Sequence, residues 1–408
     1  MADLPARRSP LSVPESHISA VPQLDDRCGI ARSDAVVRVL TAQETFNNVA
    51  YSSTGHLLFV RGGTLFAQRF DTKRLALAGE PITIAEHLAH DAGTGAMYSI
   101  SKTGVLIYRK ESVPVVSQLG WLDRSGGKIG AIGDASIQAG VTLSPDGSRA
   151  AVSRQPQAMV SGDIWILSTA TGAASRLTFD TGHFSPVWSP DGREVAFGTQ
   201  RHATDGMVIG VFRQPASGAG QRNAVVSGAY TTFPTDWSHD GRFMIYSDQD
   251  TTTKSDLWVL PLAGDHKPIP LVRTAAFEAF GQLSPDERWL AYTSDVSGRE
   301  EVYVQAFPTA QGKWQVSTRG GTQPRWRQDG KELFYASAQR QMIAVAVAPG
   351  VEGLDLSVQK PLFTHDAFGK DDYTYAVSAD GQRFLVNAAV SDPSQPIVVV
   401  LNWAAGLK

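Results

Sequence analysis

Short apolar runs and Ser/Pro/Asp/Gly turns alternate along the whole chain, with a period in the forties. The turns are Ser52-Ser-Thr-Gly55, Ser101-Lys-Thr-Gly104, Ser144-Pro-Asp-Gly147, Ser189-Pro-Asp-Gly192, Ser238-His-Asp-Gly241, Ser284-Pro-Asp-Glu287, Arg327-Gln-Asp-Gly330 and Ser378-Ala-Asp-Gly381. Their first residues are 49, 43, 45, 49, 46, 43 and 51 positions apart. Proline presets the second position of a type I turn, Asp bonds back to nearby backbone, and Gly takes the positive φ of a bulged hairpin. Each turn therefore joins two antiparallel strands. One apolar or aromatic residue always precedes it: Tyr51, Ile100, Leu143, Trp188, Trp237, Leu283, Trp326 or Val377.

After the turn a second strand follows, as in Val195-Ala-Phe197 or Leu290-Ala-Tyr292, then a third, as in Asp163-Ile-Trp-Ile-Leu167 or Asp256-Leu-Trp-Val-Leu260. A short fourth strand closes the unit, and it tolerates proline because it is an edge (Ile269-Pro-Leu-Val272). Such units cannot bury both faces alone and must lean on their neighbours. The pattern predicts an all-β propeller of four-stranded antiparallel blades, eight by the count of turns, with seven as the alternative. The expected blades are 46–88, 94–133, 138–179, 183–227, 232–273, 278–318, 321–364 and 371–403. The last unit is one strand short, and Val36–Leu40 is expected to supply it and close the ring, within a propeller spanning 36–408. Residues 1–35 read as a disordered tail.

Composition narrows the chemistry. The formal net charge of −3 gives no pull towards nucleic acid. No apolar run approaches the length of a membrane span, and no export signal is visible. The single cysteine, Cys28, rules out an internal disulfide and a cysteine metal site. There is no Gly-x-Ser-x-Gly elbow, His-Arg-Asp loop or Asp-Phe-Gly. No cofactor is expected, and the chain reads as a module without catalytic activity of its own. The weak metal candidates are His87, His90 and Asp91 in one loop and Asp248, Asp250 and Asp256 in another. The turn aspartates Asp146, Asp191, Asp240, Asp286, Asp329 and Asp380 read as turn formers.

Binding, if present, is expected where the chain enters each inner strand at a mouth of the central channel. Four to six residues before each turn stand His183, Phe184, Thr232, Phe233, Glu278, Phe280, Gln323 and Tyr373, a mixture suited to a protein, peptide or glycan ligand. Glu287 stands where the other seven turns have glycine, so Glu287→Gly is expected to stabilise.

Gly55-His-Leu-Leu-Phe-Val-Arg61, Thr64-Leu-Phe-Ala-Gln-Arg-Phe70, Ser189-Pro-Asp-Gly192, Thr235-Asp-Trp-Ser-His-Asp-Gly-Arg242, Gly312-Lys-Trp-Gln-Val-Ser317 and Val400-Leu-Asn-Trp403 together carry a likeness. The chain resembles the TolB-like, WD-repeat-like propellers that follow the kinase domain of bacterial eukaryote-like serine/threonine kinases. This resemblance implies a sensing or protein-interaction module, a kinase-bearing partner and an extracytoplasmic setting. Two other functions stay open: a TolB-like envelope scaffold, and a propeller lyase or hydrolase that uses its central channel.

Overall fold

In the computed structural model, residues 49–91, 95–110, 116–156, 162–203, 206–350, 353–365, 367, 372–390 and 397–407 are described. Their regular structure is all strand apart from one short 3-10 turn at Trp403–Gly406. No helix among them is long and apolar enough to cross a membrane. The chain forms two compact units, residues 111–396 and residues 1–110 with 397–408.

The larger unit is a ring of six blades. Blade 1 comprises Gln138–Leu143, Arg149–Arg154, Asp163–Ser168 and Ala174–Arg176. Blade 2 comprises His183–Trp188, Glu194–Ala203, Gly206–Pro215 and Asn223–Ser227. Blade 3 comprises Thr232–Trp237, Phe243–Asp250, Lys254–Pro261 and Ile269–Val272. Blade 4 comprises Glu278–Leu283, Trp289–Ser294, Glu301–Ala306 and Lys313–Gln315. Blade 5 comprises Gly321–Trp326, Glu332–Ser337 and Gln341–Gly350, the last paired with both Gly353–Leu356 and Lys360–Thr364. Blade 6 is composite: Tyr375–Val377 and Arg383–Ala389 from one end of the unit, Ser117–Asp123 and Lys128–Ser136 from the other.

Blade 6 closes the ring. Arg383–Ala389 pairs along its whole length with Ser117–Asp123, and the backbone N–H of Val141 in blade 1 donates to the carbonyl of Tyr373 at 2.9 Å. This corrects two sequence expectations. The stretch 94–133 is not one blade, because its later strands complete blade 6 while Tyr98–Ile100 and Val105–Arg109 stay in the smaller unit. There Val105–Arg109 pairs with Ile397–Leu401, so 371–403 is not one blade either. The two repeats exchange outer strands, and eight repeats divide as six and two. The physical reason is that mixing the first and last strands of the ring in one sheet leaves no seam held by side chains alone. The proposed closing strand Val36–Leu40 lies outside the described residues.

The smaller unit holds the sheet Ala50–Ser52, His56–Arg61, Thr64–Asp71 and Ala76–Ala85, a second sheet of Tyr98–Ile100, Val105–Arg109 and Ile397–Leu401, and a short hairpin of His90–Asp91 with Gly95–Ala96. Its core gathers Leu58, Val60, Leu65, Leu88, Leu106 and Trp403.

The Ser-Pro-Asp-Gly turns fold as expected. At the first turn of the ring, Ser144 Oγ donates to Asp146 Oδ1 at 2.5 Å and accepts from the Arg149 N–H at 3.0 Å, while the Gly147 N–H reaches the Ser144 carbonyl at 2.8 Å. The Ser144 hydroxyl, then Ser148, holds the Asp146 carboxyl down to about 2. The pattern recurs at Ser189, Ser238, Ser284 and Ser378, and at the fifth turn Arg327 replaces serine and clasps Asp329.

Glu287 has a φ of 57°, as its place in the turn requires. Its carboxylate accepts from the Asp240 N–H at 2.8 Å and meets Arg242 at 3.4 Å, tying blade 4 to the turn of blade 3. Relief of a positive φ and loss of one hydrogen bond are each worth about 1 kcal/mol. Glu287→Gly is therefore expected to leave Tm nearly unchanged by calorimetry. A clear rise would show that the inter-blade bond contributes nothing.

Candidate functional site

Five of the six inner strands carry a bulge near their middle. Registers shift between Ala139 and Thr142, Phe184 and Val187, Pro234 and Asp236, Ala279 and Gln282, and Thr322 and Arg325. Gly140, Ser185, Phe280 and Gln323 take positive φ there. A bulge re-aims the residues that follow it. One step before the end of each strand, Thr142, Val187, Asp236, Gln282, Arg325 and Ala376 line a cavity of about 490 Å³. Its rim is the ring of turns, with Trp188, Trp237, Trp326, Pro145, Pro190 and Pro285 supplying apolar surface and His239 standing exposed.

The floor is polar and charged. Asp236 Oδ2 accepts from the Leu283 N–H of the next blade at 2.7 Å, and Gln282 Oε1 accepts from the Trp326 N–H at 2.9 Å. Burial in the channel wall pushes Asp236 up to about 6 against the pull of its backbone bond and of the His239 and Arg325 charges. Asp372, packed against Gly140 and Ser185, is likewise raised by burial to about 6. The Arg325 guanidinium lies over the Tyr373 ring, 3.5 Å from its centroid, and donates from one terminal nitrogen to the Val141 carbonyl at 3.3 Å. Arg325 Nε, Thr235 Oγ1 and Trp188 Nε1 are buried without a hydrogen-bond partner. The cavity is thus lined by one carboxylate that costs free energy when ionised, Asp236, and one cation, Arg325, while Asp372 is not among its lining residues.

None of the eight residues expected at the channel mouth lines this cavity. They stand at the beginnings of the inner strands, whereas the cavity opens at their ends. His183, Thr232, Glu278, Phe280, Gln323 and Tyr373 are buried. His183 bonds Asp180 and Thr199, Thr232 bonds Asp248, Gln323 holds Thr374 and the Asp372 carbonyl, and the Tyr373 hydroxyl donates to the Phe280 carbonyl. Phe184 and Phe233 meet 6.0 Å apart above Gly198, where an added Cβ would strike both. Alanine at these two half-buried phenylalanines would therefore open a gap between blades 2 and 3, at less than the ~3 kcal/mol of a fully buried ring. Asp236 and Arg325 escaped the sequence reading because a strict alternation ignores the bulge. The readable signal was a charge one place before the tryptophan of an otherwise uncharged strand.

Among the metal candidates, Asp248 stands opposite Asp256 across the ladder, and burial, then the Asp250 and Asp256 charges, raise its carboxyl. His87 is exposed, and the side chains of His90 and Asp91 lie outside those described. Asp250 bonds its own loop through Thr252, and Asp248 takes the Thr232 hydroxyl. Asp163, Asp180 and His183 present ligand atoms within 4.8 Å of one another. Their polar atoms are already engaged by Arg176, Thr178, Arg222 and Thr199, so the cluster reads as an ion-pair network.

A closed ring of four-stranded antiparallel sheets with a polar channel defines a β-propeller. No protein-family model matches the chain, and no curated protein matches it in sequence. Solved structures match it in fold. A TolB from Agrobacterium tumefaciens aligns at 16% identity and a TM-score of 0.54 over 68% of this chain and 99% of that one. TolB from Acinetobacter baumannii aligns at 14% identity and a TM-score of 0.45 over 78% and 82%. An oligogalacturonate lyase solved with manganese aligns at 15% identity and a TM-score of 0.43 over 78% and 82%. The fold is that of the TolB-like propellers. The expectation of a chain without catalytic activity is corrected here, because lyases stand among the similar structures and the scaffold gives no ground for that exclusion.

Proposed function

We propose that the larger unit captures an extended polypeptide segment, end-on, at the channel mouth ringed by the turns, with a cationic group of the segment reaching Asp236. The observation that carries this is the charged floor beneath an apolar rim of tryptophan and proline. Tryptophan and proline surfaces pack against extended backbone at little entropic cost, and a desolvated carboxylate gains most from a cation brought to it. The TolB-like fold supports a docking role, and the likeness of the sequence motifs to kinase-associated propellers supports reading the capture as a sensing step. A glycan would use the same aromatic rim with less demand for a positive group.

A peptide and glycan array probed with the purified chain and with Asp236→Asn tests the proposal. Lys- or Arg-bearing peptides should bind the native chain and lose at least tenfold in affinity on the variant. Since Asp236 takes up a proton near pH 6, affinity should also fall as pH drops from 7.5 to 5. Binding confined to neutral glycans, unaffected by Asp236→Asn, would overturn the peptide reading.

A further inference from the structure

Between blades 3 and 4, away from the channel mouth, two buried carboxylates meet. A parallel bridge joins Ser255 to Phe277, so the next residues of the two segments, Asp256 and Glu278, follow side by side. They are 2% and 1% exposed. Each has one oxygen tied down. Asp256 Oδ2 accepts from Thr253 Oγ1 at 2.7 Å and faces Arg273 Nε at 3.4 Å. Glu278 Oε1 accepts from Thr274 Oγ1 at 2.5 Å and from Ser294 Oγ at 3.4 Å. The second oxygens, Asp256 Oδ1 and Glu278 Oε2, have no partner, and neither has the hydroxyl of the fully buried Tyr292. Tyr292 lies on the face of its strand that carries Ser294 opposite Glu278, close enough for the Glu278 charge to add to the burial that raises its phenol.

The repeat supplies its own control. The acids that open the third strands of blades 1 and 4 are fully satisfied. Asp163 takes Thr178, the Thr181 N–H and Arg176, and Glu301 takes Arg299, Ser317 and the Gly320 N–H. In blade 3 Arg273 stands at the register position of Thr178 and Ser317 and faces Asp256, while the hydroxyl one place on, Thr274, donates to Glu278. Two half-satisfied carboxylates at this depth would each carry a large desolvation cost if ionised alone. Burial already pushes the Glu278 carboxyl up, and the Lys313 ammonium lies over the Tyr292 and Tyr303 rings.

We propose that Asp256 Oδ1, Glu278 Oε2 and the Tyr292 hydroxyl bind a hard divalent cation of the calcium class, taken up as blades 3 and 4 pack together. Hard cations take oxygen ligands, usually six to eight, and the two carboxylate oxygens supply the negative charge such an ion needs. Binding to the folded state alone raises its stability.

The test is thermal unfolding of the full chain after EDTA treatment, with and without calcium chloride. Calcium should raise Tm by roughly 5 °C for a site near saturation in a ring of this size. Glu278→Gln and Asp256→Asn should abolish the rise. Terbium emission on tyrosine excitation supplies a readout on the unmutated chain, and calcium should quench it. No change in Tm and no terbium emission would overturn the proposal and leave a carboxyl pair that shares a proton. Emission that survives both substitutions would also overturn it, by placing the ion elsewhere.

Discussion

A chain shortened to begin at Ile137 should fail to show a cooperative melt, while the fragment 111–396 should unfold in one transition. The shorter fragment lacks Ser117–Asp123 and Lys128–Ser136, the outer half of blade 6. With them go Leu119, Trp121 and Ile132, which pack in one core with Val141, Val152, Leu167 and Leu385. Each large buried side chain removed costs about 3 kcal/mol, so three approach the whole stability of a domain. Arg383–Ala389, paired at all seven residues with the missing strand, would become an exposed apolar edge. Circular dichroism melts of the two fragments check this. A cooperative melt of 137–396 at the temperature of 111–396 would show that the composite blade is dispensable. Because 111–396 also lacks Val36–Leu40, its folding tests whether that strand is needed for closure.

The fold was legible in the sequence because the turn chemistry is local. Serine, aspartate and glycine specify each hairpin within four residues, and the apolar residue before each turn marks the inner strand. Closure was not legible, because it depends on which distant strands pair. Ser117–Asp123 and Ile397–Leu401 are both plausible third strands of the repeats in which they stand, and only the packing of the ring exchanges them. The candidate site was missed for a different reason. Counting back from the turns located where the chain enters each inner strand, and His183, Gln323 and Tyr373 are indeed there, but as buried supports. Asp236 and Arg325 reach the cavity because a bulge shifts the alternation between Pro234 and Asp236 and between Thr322 and Arg325. A positive φ on a residue other than glycine, as at Phe280 or Gln323, leaves no mark at the position itself. The half-satisfied pair of Asp256 and Glu278 was invisible for the same kind of reason, since it is made by a bridge between two blades.

Replacing Arg325 by methionine should destabilise the ring by about 3 kcal/mol at neutral pH, and by much less at pH 5. Methionine fills a similar volume against Tyr373, so the main loss is the positive charge and the bond to the Val141 carbonyl. That charge draws down both Asp236 and Asp372, which burial nonetheless holds at about 6. For a carboxyl raised above its unfolded value, the stabilising contribution is full below the unfolded pKa and is lost as pH rises through the folded one. In the native chain this loss falls between about 4 and 6 for these two groups. Without Arg325 both would titrate higher, so the loss would continue through neutrality. The gap between native and variant should therefore widen from pH 5 to pH 8 in urea unfolding. A gap independent of pH would mean that Arg325 acts through packing on Tyr373. The charge reading ties stability to binding, because the guanidinium that keeps two buried carboxylates ionised near neutrality also prepares one of them, Asp236, for a cationic ligand.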